Sequence, residues 1–192
     1  MPNQIPKDHG WIEVIIGPMY SGKTSELIRR LTLAEIARQD VAVFKPSIDN
    51  RFSSDHIVSR LESSMPCVPI HPRRLVDEDK QDVFRLTSSK TVVGFDEAQF
   101  FHSDLVSVCN ELARQGKRVI VAGLDSDYRR KPFETVVNLV STAEYVDKMR
   151  AICVLCGNPA HLTKRTISSS SRVVIGDTEA YEVRCRDCFW TN

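Results

Sequence analysis

Long apolar runs, internal repeats and an excess of charge of either sign are all missing from this sequence of 192 residues. No stretch approaches the roughly 20 consecutive apolar residues that a membrane-spanning helix requires. Basic and acidic side chains nearly balance, 26 against 25, so the net charge of +1 disfavours general electrostatic binding to nucleic acid. Aromatic residues make up only 7% of the chain and do not cluster with basic ones, which argues against a stacking platform for single strands. We therefore expect neither a membrane nor a nucleic acid as partner.

A secretory signal is also missing from the N-terminus. Residues 1–10 are polar and contain Pro2 and Pro6, so they lack the apolar core that such a signal needs. We therefore expect a cytoplasmic location, where the six cysteines should be reduced or metal-bound and not paired in disulfides. The 42% hydrophobic content is that of an ordinary globular chain with room for one core and a small appendage.

The most informative feature that is present is a glycine-containing loop at residues 17–24, which matches the phosphate-binding pattern G-x-x-x-x-G-K-[ST] in full. Its members are Gly17, Pro18, Met19, Tyr20, Ser21, Gly22, Lys23 and Thr24. An apolar stretch of strand length, 11–16, precedes the loop, and residues 25–38 follow it with apolar side chains at the spacing of a one-faced helix. Strand, loop and helix form the context that the pattern requires, so a chance glycine-rich turn is disfavoured.

Each part of the loop has a chemical reason. Gly17 and Gly22 let the backbone curl so that successive N–H groups face phosphate oxygens, and the helix N-terminus adds partial positive charge. Lys23 is placed to reach the β- and γ-phosphates, and the Thr24 hydroxyl to ligate Mg²⁺. The sequence therefore predicts a site for a nucleoside triphosphate.

Apolar strands alternate with amphipathic helices along residues 1–150, which we treat as one nucleotide-binding domain. We predict strands at 11–16, 41–44, 91–95, 118–122 and 145–152, helices at 25–38, 73–86, from 103 and from 132, and an irregular polar segment at 47–72. This alternation indicates an α/β fold with a mostly parallel sheet and helices on both faces, of the kind found in phosphate-loop NTPases. Ligands of such sheets bind beyond the carboxyl ends of the strands, so the polar tips at 17–24, 96–101 and 124–130 should gather at one edge.

Two adjacent carboxylates, Asp96 and Glu97, directly follow the apolar segment 91–95. In a phosphate-loop protein an Asp at this point coordinates Mg²⁺, usually through water. The glutamate beside it can act as a general base toward a water in a hydrolase or a hydroxyl in a kinase. A solvated acidic pair opening a loop is equally compatible with the pair alone, but the phosphate loop favours the functional interpretation.

Four cysteines form two C-x₂-C pairs separated by 28 residues, and they are Cys153, Cys156, Cys185 and Cys188. Each pair forms a tight knuckle that turns both thiolates toward one tetrahedral Zn²⁺. Disulfides or a redox pair are the alternatives, and two matched pairs favour a structural metal. The other two cysteines, Cys67 and Cys109, lack a partner at ligand spacing and are interpreted as packing residues. We treat residues 151–192 as a separate small zinc-binding domain.

Taken together, the motifs resemble the zinc-containing type II thymidine kinases, in colinear order over nearly the whole chain. The segments that carry the resemblance are the phosphate loop, Asp49-Asn50-Arg51-Phe52-Ser53, Asp96-Glu97-Ala98-Gln99-Phe100-Phe101, Gly123-Leu124-Asp125, Arg130-Lys131-Pro132-Phe133 and the paired cysteines. The resemblance implies transfer of the ATP γ-phosphoryl group to the 5′-hydroxyl of thymidine, and of deoxyuridine, in pyrimidine salvage. It also implies a homotetramer and feedback inhibition by thymidine triphosphate.

The resemblance assigns roles at the phosphate end of the site. Glu97 is the implied catalytic base, and Asp96 with Thr24 would organise Mg²⁺. Arg51 is the implied catalytic cation, since its planar fork can hold two phosphoryl oxygens at once. Without the resemblance we would interpret Arg51 as a surface charge. The further residues implied in phosphate binding are Asp49, Asn50 and Gln99.

The resemblance also implies that the nucleoside is enclosed by a zinc-held loop, the lasso, here residues 168–181, whose backbone hydrogen-bonds the pyrimidine. The implied substrate-binding residues are Met19, Phe101, Leu124, Tyr128, Phe133 and Thr163, with Arg172, Val173, Val174, Ile175, Gly176 and Tyr181 from the lasso. Apolar enclosure with a few fixed polar contacts suits a neutral nucleoside, and excluding water favours transfer over hydrolysis. For Phe100 and Phe101, packing in the core is at least as good an interpretation as contact with the substrate.

Three departures from the family's usual pattern bear on substrate breadth. Tyr20 and Tyr128 stand where phenylalanine is common, and each adds a hydroxyl that needs a partner. Glu134 stands where a glycine is usual and adds a carboxylate near the site. An ATPase in which Glu97 activates water and a zinc-ribbon nucleic-acid module are the rival interpretations, while a GTPase is disfavoured because the guanine-reading Asn-Lys-x-Asp pattern is absent.

Overall fold

The computed structural model describes residues 9–49, 53–60, 63–72, 77–169, 171–172, 174 and 179–191. Its strands are β1 (Trp11–Gly17), β2 (Val41–Pro46), β3 (His56–Val58), β4 (Ser64–Pro66), β5 (Val68–Ile70), β6 (Val92–Phe95), β7 (Arg118–Leu124), β8 (Tyr145–Lys148), β9 (Ala151–Ile152), β10 (Pro159–Ala160), β11 (Leu162–Arg165) and β12 (Tyr181–Arg184). Its helices are α1 (Lys23–Ile36), α2 (Asp77–Leu86), α3 (Asp104–Arg114), α4 (Glu134–Thr142) and α5 (Arg186–Phe189), with a short 3₁₀ helix at Ala98–Phe100.

Within the described ranges, six strands form one parallel sheet in the order β5-β2-β6-β7-β1-β8. The central strands are apolar on both faces because helices cover both, as expected for a parallel sheet. In β1, Val14 packs in a cluster with α3 and α4, whereas its neighbour Ile15 packs in the opposite cluster with α1. The predicted α/β architecture is therefore confirmed.

The register of the central strands places the functional tips side by side. Gly17 at the end of β1 pairs with Leu124 at the end of β7, and β7 in turn lies next to β6, which leads into Asp96. All these strands run in the same direction, so their carboxyl ends meet at one edge. The phosphate loop, the acidic pair and the 124–130 tip therefore converge there, as the alternation of strands and helices predicts.

Two predictions about the elements were wrong in detail. The segment 47–72, expected to be irregular, contains β3 and β4 as a hairpin and β5 as an edge strand, each too short to leave a period-2 pattern. Residues 145–152, expected to be one strand, form two, since β8 pairs with β1 while β9 leaves the main sheet and pairs with β10. Sequence pattern alone does not reveal where a strand changes partners. Of the helix predicted at 73–86, residues 73–76 lie outside the described residues.

The cysteine-bearing part of the chain has its own small core. Its described strands form two antiparallel pairs, β9 with β10 and β11 with β12. Ala151, Cys153, Ala160, Val183 and Cys185 are buried together there, and Tyr20 of the phosphate loop packs against them. Of the helices that the structure describes, none combines the length and the apolar character needed to cross a bilayer.

Candidate active site

A cavity of about 440 Å³ lies at the carboxyl edge of the sheet. One side is formed by the phosphate loop from Met19 onward and by Asp96, Glu97 and Gln99. A second set of lining residues belongs to the 124–128 tip, to β11 and β12 and to the lasso, and we call this set the apolar wall. A single cavity thus has a phosphate-binding wall and a mostly apolar wall, which is the layout that a phosphoryl transfer between two substrates requires.

The phosphate loop has the tight backbone that its glycines permit. A Cβ atom on Gly17 would lie 2.7 Å from the carbonyl oxygen of Met149, and Gly22 has φ +83, so neither position accepts a side chain without strain. Two side chains bind the carbonyl oxygen of Pro18 inside the loop: Ser21 Oγ donates to it over 2.9 Å and Lys23 Nζ over 2.7 Å. The Lys23 ammonium therefore lies at the loop, where phosphate oxygens would replace or add to the carbonyl as its partner.

Thr24 and Asp96 form a hydroxyl–carboxylate pair below the loop. Thr24 Oγ1 lies 3.1 Å from Asp96 Oδ2, and Asp96 is only 5% exposed. Burial, together with the charges of Glu97 and Asp49, raises the pKa of the Asp96 carboxyl to about 7. A divalent cation here would reverse that shift, because it stabilises the carboxylate. The donor set suits Mg²⁺, which prefers one or two carboxylates with water and phosphate oxygens.

Glu97 is oriented by its backbone and by Gln99. Its φ of 51° and ψ of 43° lie in the left-handed region, which is uncommon for a residue other than glycine and is concentrated at functional sites. The side-chain amide of Gln99 donates to Glu97 Oε2 and accepts, through Oε1, the N–H of Leu124 over 2.9 Å. Gln99, which the resemblance implies in phosphate binding, therefore ties the Glu97 carboxylate to the tip of β7.

Most of the residues implied in nucleoside binding line the cavity. Those that line the cavity are Met19, Leu124, Tyr128, Phe133, Thr163, Arg172, Val174 and Tyr181. Phe101 does not join them: it is 4% exposed, meets Phe95 edge to face, and its carbonyl accepts from Thr135. The structure thus brings Phe101 into the core, the alternative that its sequence left open, while Phe100 lines the cavity.

Several implied site residues lie outside the described residues, namely Asn50, Arg51, Val173, Ile175 and Gly176. Asp49, at the start of the same segment as Arg51, is described and lines the cavity. The implied roles of all six of these residues stay predictions.

Two of the three departures from the family pattern add hydroxyls to the cavity, and the third adds a carboxylate at the surface. The Tyr20 hydroxyl donates to the carbonyl of Tyr181 over 3.1 Å, and the Tyr128 hydroxyl accepts from Arg129 Nε over 2.7 Å. Glu134 is exposed at the start of α4 and is not among the described residues that line the cavity. Both added hydroxyls therefore have partners, and the added carboxylate faces elsewhere.

Two cationic residues of the cavity were missed by sequence reasoning. Lys45, only 3% exposed at the end of β2, donates through Nζ to the backbone carbonyls of Ser53 and His56. Its position after the apolar run 41–44 was an available signal, since polar residues at carboxyl ends of strands face the site. Arg60, at the turn between β3 and β4, places its guanidinium 4.4 Å from the centre of the Tyr20 ring. No sequence signal points to Arg60, because only the hairpin brings it over the loop.

The four cysteines of the two C-x₂-C pairs come together as a metal site requires. The Sγ atoms of Cys153, Cys156, Cys185 and Cys188 all lie within 4.8 Å of one another. Although burial opposes it, hydrogen bonds from backbone amides lower the pKa of the Cys153 thiol to about 6, while the neighbouring thiols raise the pKa of Cys188 to about 12. A cation bound at the centre of the cluster would stabilise the thiolate form of all four. Four thiolates in this arrangement could hold a structural zinc ion, and they leave no position for a reacting water. Of the other two cysteines, Cys109 is fully buried in the core and Cys67 is half-buried.

Strand, phosphate loop, helix and the Thr24–Asp96 pair define a phosphate-loop nucleotide-binding protein of the α/β class. The same overall fold is seen in the crystal structure of flagellar accessory protein FlaH from Methanocaldococcus jannaschii, with a TM-score of 0.51 over 79% of this chain and 75% of that one. At 14% identity this likeness concerns the fold alone.

Sequence comparison narrows the class to a family. Residues 10–189 match the family model described as thymidine kinase. The thymidine kinase of Rhodothermus sp. is 49% identical over 180 residues, covering 94% of this chain and 81% of that protein. The thymidine kinase of Bdellovibrio bacteriovorus is 46% identical over 181 residues, covering 94% and 85%. The chain belongs to the thymidine kinase family, which confirms the resemblance inferred from its motifs.

Proposed function

We propose that this protein is an ATP-dependent thymidine kinase, which transfers the γ-phosphoryl group to the 5′-hydroxyl of thymidine, and of deoxyuridine, in cytoplasmic pyrimidine salvage. The observation that carries the proposal, besides family membership, is the single cavity with the phosphate loop on one wall and an apolar pocket on the other. Glu97 lines the same cavity beside the phosphate loop, and we expect its carboxylate to reach a sugar hydroxyl that meets the γ-phosphate.

The chemistry follows from this placement. The Glu97 carboxylate accepts the proton of the 5′-hydroxyl while that oxygen bonds to the γ-phosphorus and the bond to the β–γ bridging oxygen breaks, releasing ADP. Lys23 and the loop amides bind the phosphates, and Arg51 stabilises the charge that develops on the transferred group. Thr24 and Asp96 would hold Mg²⁺, which supplies neutralisation of the β- and γ-phosphate charge.

The apolar wall recognises a neutral pyrimidine by enclosure. Leu124, Tyr128 and Phe133 provide apolar surface, and we expect the polar contacts to come from backbone groups of the lasso. A site closed by the lasso excludes water from the γ-phosphate, so that transfer to the nucleoside is favoured over hydrolysis.

An assay with labelled ATP tests the proposed kinase activity directly. The protein is incubated with γ-labelled ATP, Mg²⁺ and a panel of deoxynucleosides, and we expect labelled monophosphate with thymidine and deoxyuridine. Labelled free phosphate alone, independent of nucleoside, would instead identify an ATPase in which Glu97 activates water. If neither labelled monophosphate nor labelled free phosphate forms, the protein is a nucleotide-binding module, and the proposal is overturned.

Family membership also supports two proposals about assembly and control. We propose a homotetramer, and feedback inhibition by thymidine triphosphate, whose base would occupy the nucleoside pocket and whose phosphates would extend toward the loop. Light scattering at micromolar protein tests the first, and a monomeric mass would contradict it. Inhibition by thymidine triphosphate that thymidine does not relieve would contradict the second.

A further inference from the structure

Arg165, at the end of β11, contacts the lasso at several points although it lies outside it. Its Nη1 donates to the carbonyl of Ser171 over 2.5 Å and, more weakly, to that of Ser169 over 3.4 Å. Its Nη2 donates to the carbonyl of Arg172 over 3.0 Å and to the hydroxyl of Tyr181 over 2.8 Å. One guanidinium therefore binds the lasso near its start, through the carbonyls of Ser169, Ser171 and Arg172, and at its end, through Tyr181. Arg172 and Tyr181 both belong to the apolar wall of the cavity.

The same guanidinium is also stacked on Tyr128, in the tip that follows β7. Its Cζ atom lies 3.7 Å from the centre of the Tyr128 ring and 5.3 Å from that of Tyr181. Cation–π contacts at this distance are favourable, and more so for a planar guanidinium than for an ammonium. Tyr128 belongs to the tip that follows β7, so Arg165 links the lasso to the main sheet.

The Tyr181 hydroxyl extends this network to Val174. It accepts the N–H of Val174 and donates to the carbonyl of the same residue, each over 3.1 Å, while it also accepts from Arg165. Both backbone polar groups of a cavity-lining lasso residue are thus fixed through Arg165 and Tyr181. A second, separate anchor is Arg172, whose Nε donates to the buried carboxylate of Asp127 over 2.9 Å.

We propose that Arg165 is a positioning residue that fixes Arg172, Val174 and Tyr181 against Tyr128 before a nucleoside binds. This proposal rests on the proposed function, because it concerns the part of that site that would bind thymidine. Without Arg165, the nucleoside must order these residues as it binds, which costs affinity and not chemistry. Loss of Arg165 therefore raises the KM for thymidine and affects kcat and the KM for ATP little.

The chain offers a matched control in the neighbouring residue of β11. Lys164 carries the same charge, but its Nζ donates to the carbonyl of Thr191, near the C-terminus and away from the lasso. The variants are Arg165→Met, Arg165→Lys and Lys164→Met, each checked for bound zinc and thermal midpoint. Arg165→Lys keeps the charge but lacks the planar guanidinium, whose two Nη atoms donate to separate acceptors. It therefore tests the role of the guanidinium even if the methionine variant is unstable.

The first readout is hydrogen exchange in peptides covering 168–181, measured by mass spectrometry on zinc-loaded protein without nucleoside. We expect faster exchange in both Arg165 variants and wild-type exchange in Lys164→Met. The second readout is steady-state kinetics, in which we expect the KM for thymidine to rise about 10-fold or more in Arg165→Met, as for the loss of charge-assisted hydrogen bonds. We expect a smaller rise in Arg165→Lys and none in Lys164→Met.

The two readouts separate this proposal from the proposed function. Unchanged lasso exchange in both Arg165 variants would overturn the positioning role, whatever the activity. A fall in kcat with an unchanged KM for thymidine would overturn it too, since that result means a role in chemistry. If the wild-type protein phosphorylates no nucleoside, the proposed function fails, while the exchange measurement still decides whether Arg165 orders the lasso.

Discussion

At the scale of single residues, the Glu97 carboxylate should affect turnover and not substrate binding. Replacing it with Gln keeps size and polarity but removes the proton acceptor. We expect kcat to fall by about 10²–10⁴-fold, the usual cost of losing a general base, with ATP and thymidine affinities retained. Single-turnover kinetics and equilibrium binding check both parts.

The matched control for this variant is Glu134→Gln. Glu134 is an exposed carboxylate at the start of α4, so the same chemical change there should leave kcat unaltered. Wild-type turnover in Glu97→Gln would show that another group, or solvent, accepts the proton.

Selectivity among pyrimidines also belongs to this scale. We expect deoxycytidine to be a poorer substrate than thymidine by about 5- to 150-fold in kcat/KM, because its amino group reverses one buried donor–acceptor pair at a cost of about 1–3 kcal/mol. Deoxyuridine lacks only a methyl group and should be accepted. Comparing kcat/KM for the three nucleosides measures this, and equal values for thymidine and deoxycytidine would mean that Tyr20 and Tyr128 have changed the pocket.

At the scale of elements, a buried charge on β1 joins the strand to its neighbours. Glu13, 7% exposed, accepts from Arg118 of β7 over 2.6 Å and from Arg30 of α1 over 2.8 Å. Burial raises the pKa of the Glu13 carboxyl, but the hydrogen bond and charge of Arg118, with Trp11 and Arg30, outweigh it and lower the pKa below its ordinary value of 4.5. Since the folded-state pKa is lowered, the stabilisation is present above pH 4.5 and is lost as the pH falls through the folded pKa.

Glu13→Gln should therefore lower the free energy of unfolding at pH 7 by up to about 3 kcal/mol. It leaves Arg118 without its carboxylate partner, whereas Arg30 keeps Glu26 and Asp147. The difference from wild type should shrink at acid pH, where the wild-type carboxylate is itself protonated. Urea unfolding at several pH values measures both effects. The control is Glu111→Gln on α3, whose partner Arg114 is 75% exposed, so that this ion pair should contribute little. A pH-independent loss in Glu13→Gln would contradict the ionic explanation.

At the scale of the whole molecule, we expect metal binding by the cysteine cluster to stabilise the apolar wall of the cavity. The core around Cys153 and Cys185 is small, so a bound metal should supply much of its stability. We expect elemental analysis to find one zinc ion per chain, and chelation to increase hydrogen exchange in 151–192 before it affects the central sheet. Thymidine binding should be lost first, since Thr163 and Tyr181 belong to this part.

The control for chelation is Cys67→Ser, which removes a thiol outside the cluster and should leave the zinc content unchanged. Fully active protein with four freely titratable thiols at the cluster would contradict a structural metal.

How far the sequence determines this protein differs between elements. The phosphate loop and Asp96 could be located from the sequence because their chemistry is local: glycine spacing, a preceding apolar run and a following helix are all neighbours along the chain. The helix α1 follows from its apolar spacing in the same way. The hairpin β3–β4 could not be found, since its short strands acquire their identity only by pairing with each other.

Contacts between segments far apart in the chain were decided by the tertiary structure alone. Phe101 belongs to the core because Phe95 and Thr135 surround it, although its place after the acidic pair fits a pocket residue equally well. Arg165 carries no motif, and only the pairing of β11 with β12 brings its guanidinium to Tyr181 and Tyr128. The sequence by itself determined the nucleotide-binding class and the cysteine ligand set, because these depend on residue types at fixed local spacing, and the resemblance of its motifs indicated the family. Which side chains hold the pocket in shape depended on distances between separate elements, and only folding sets those distances.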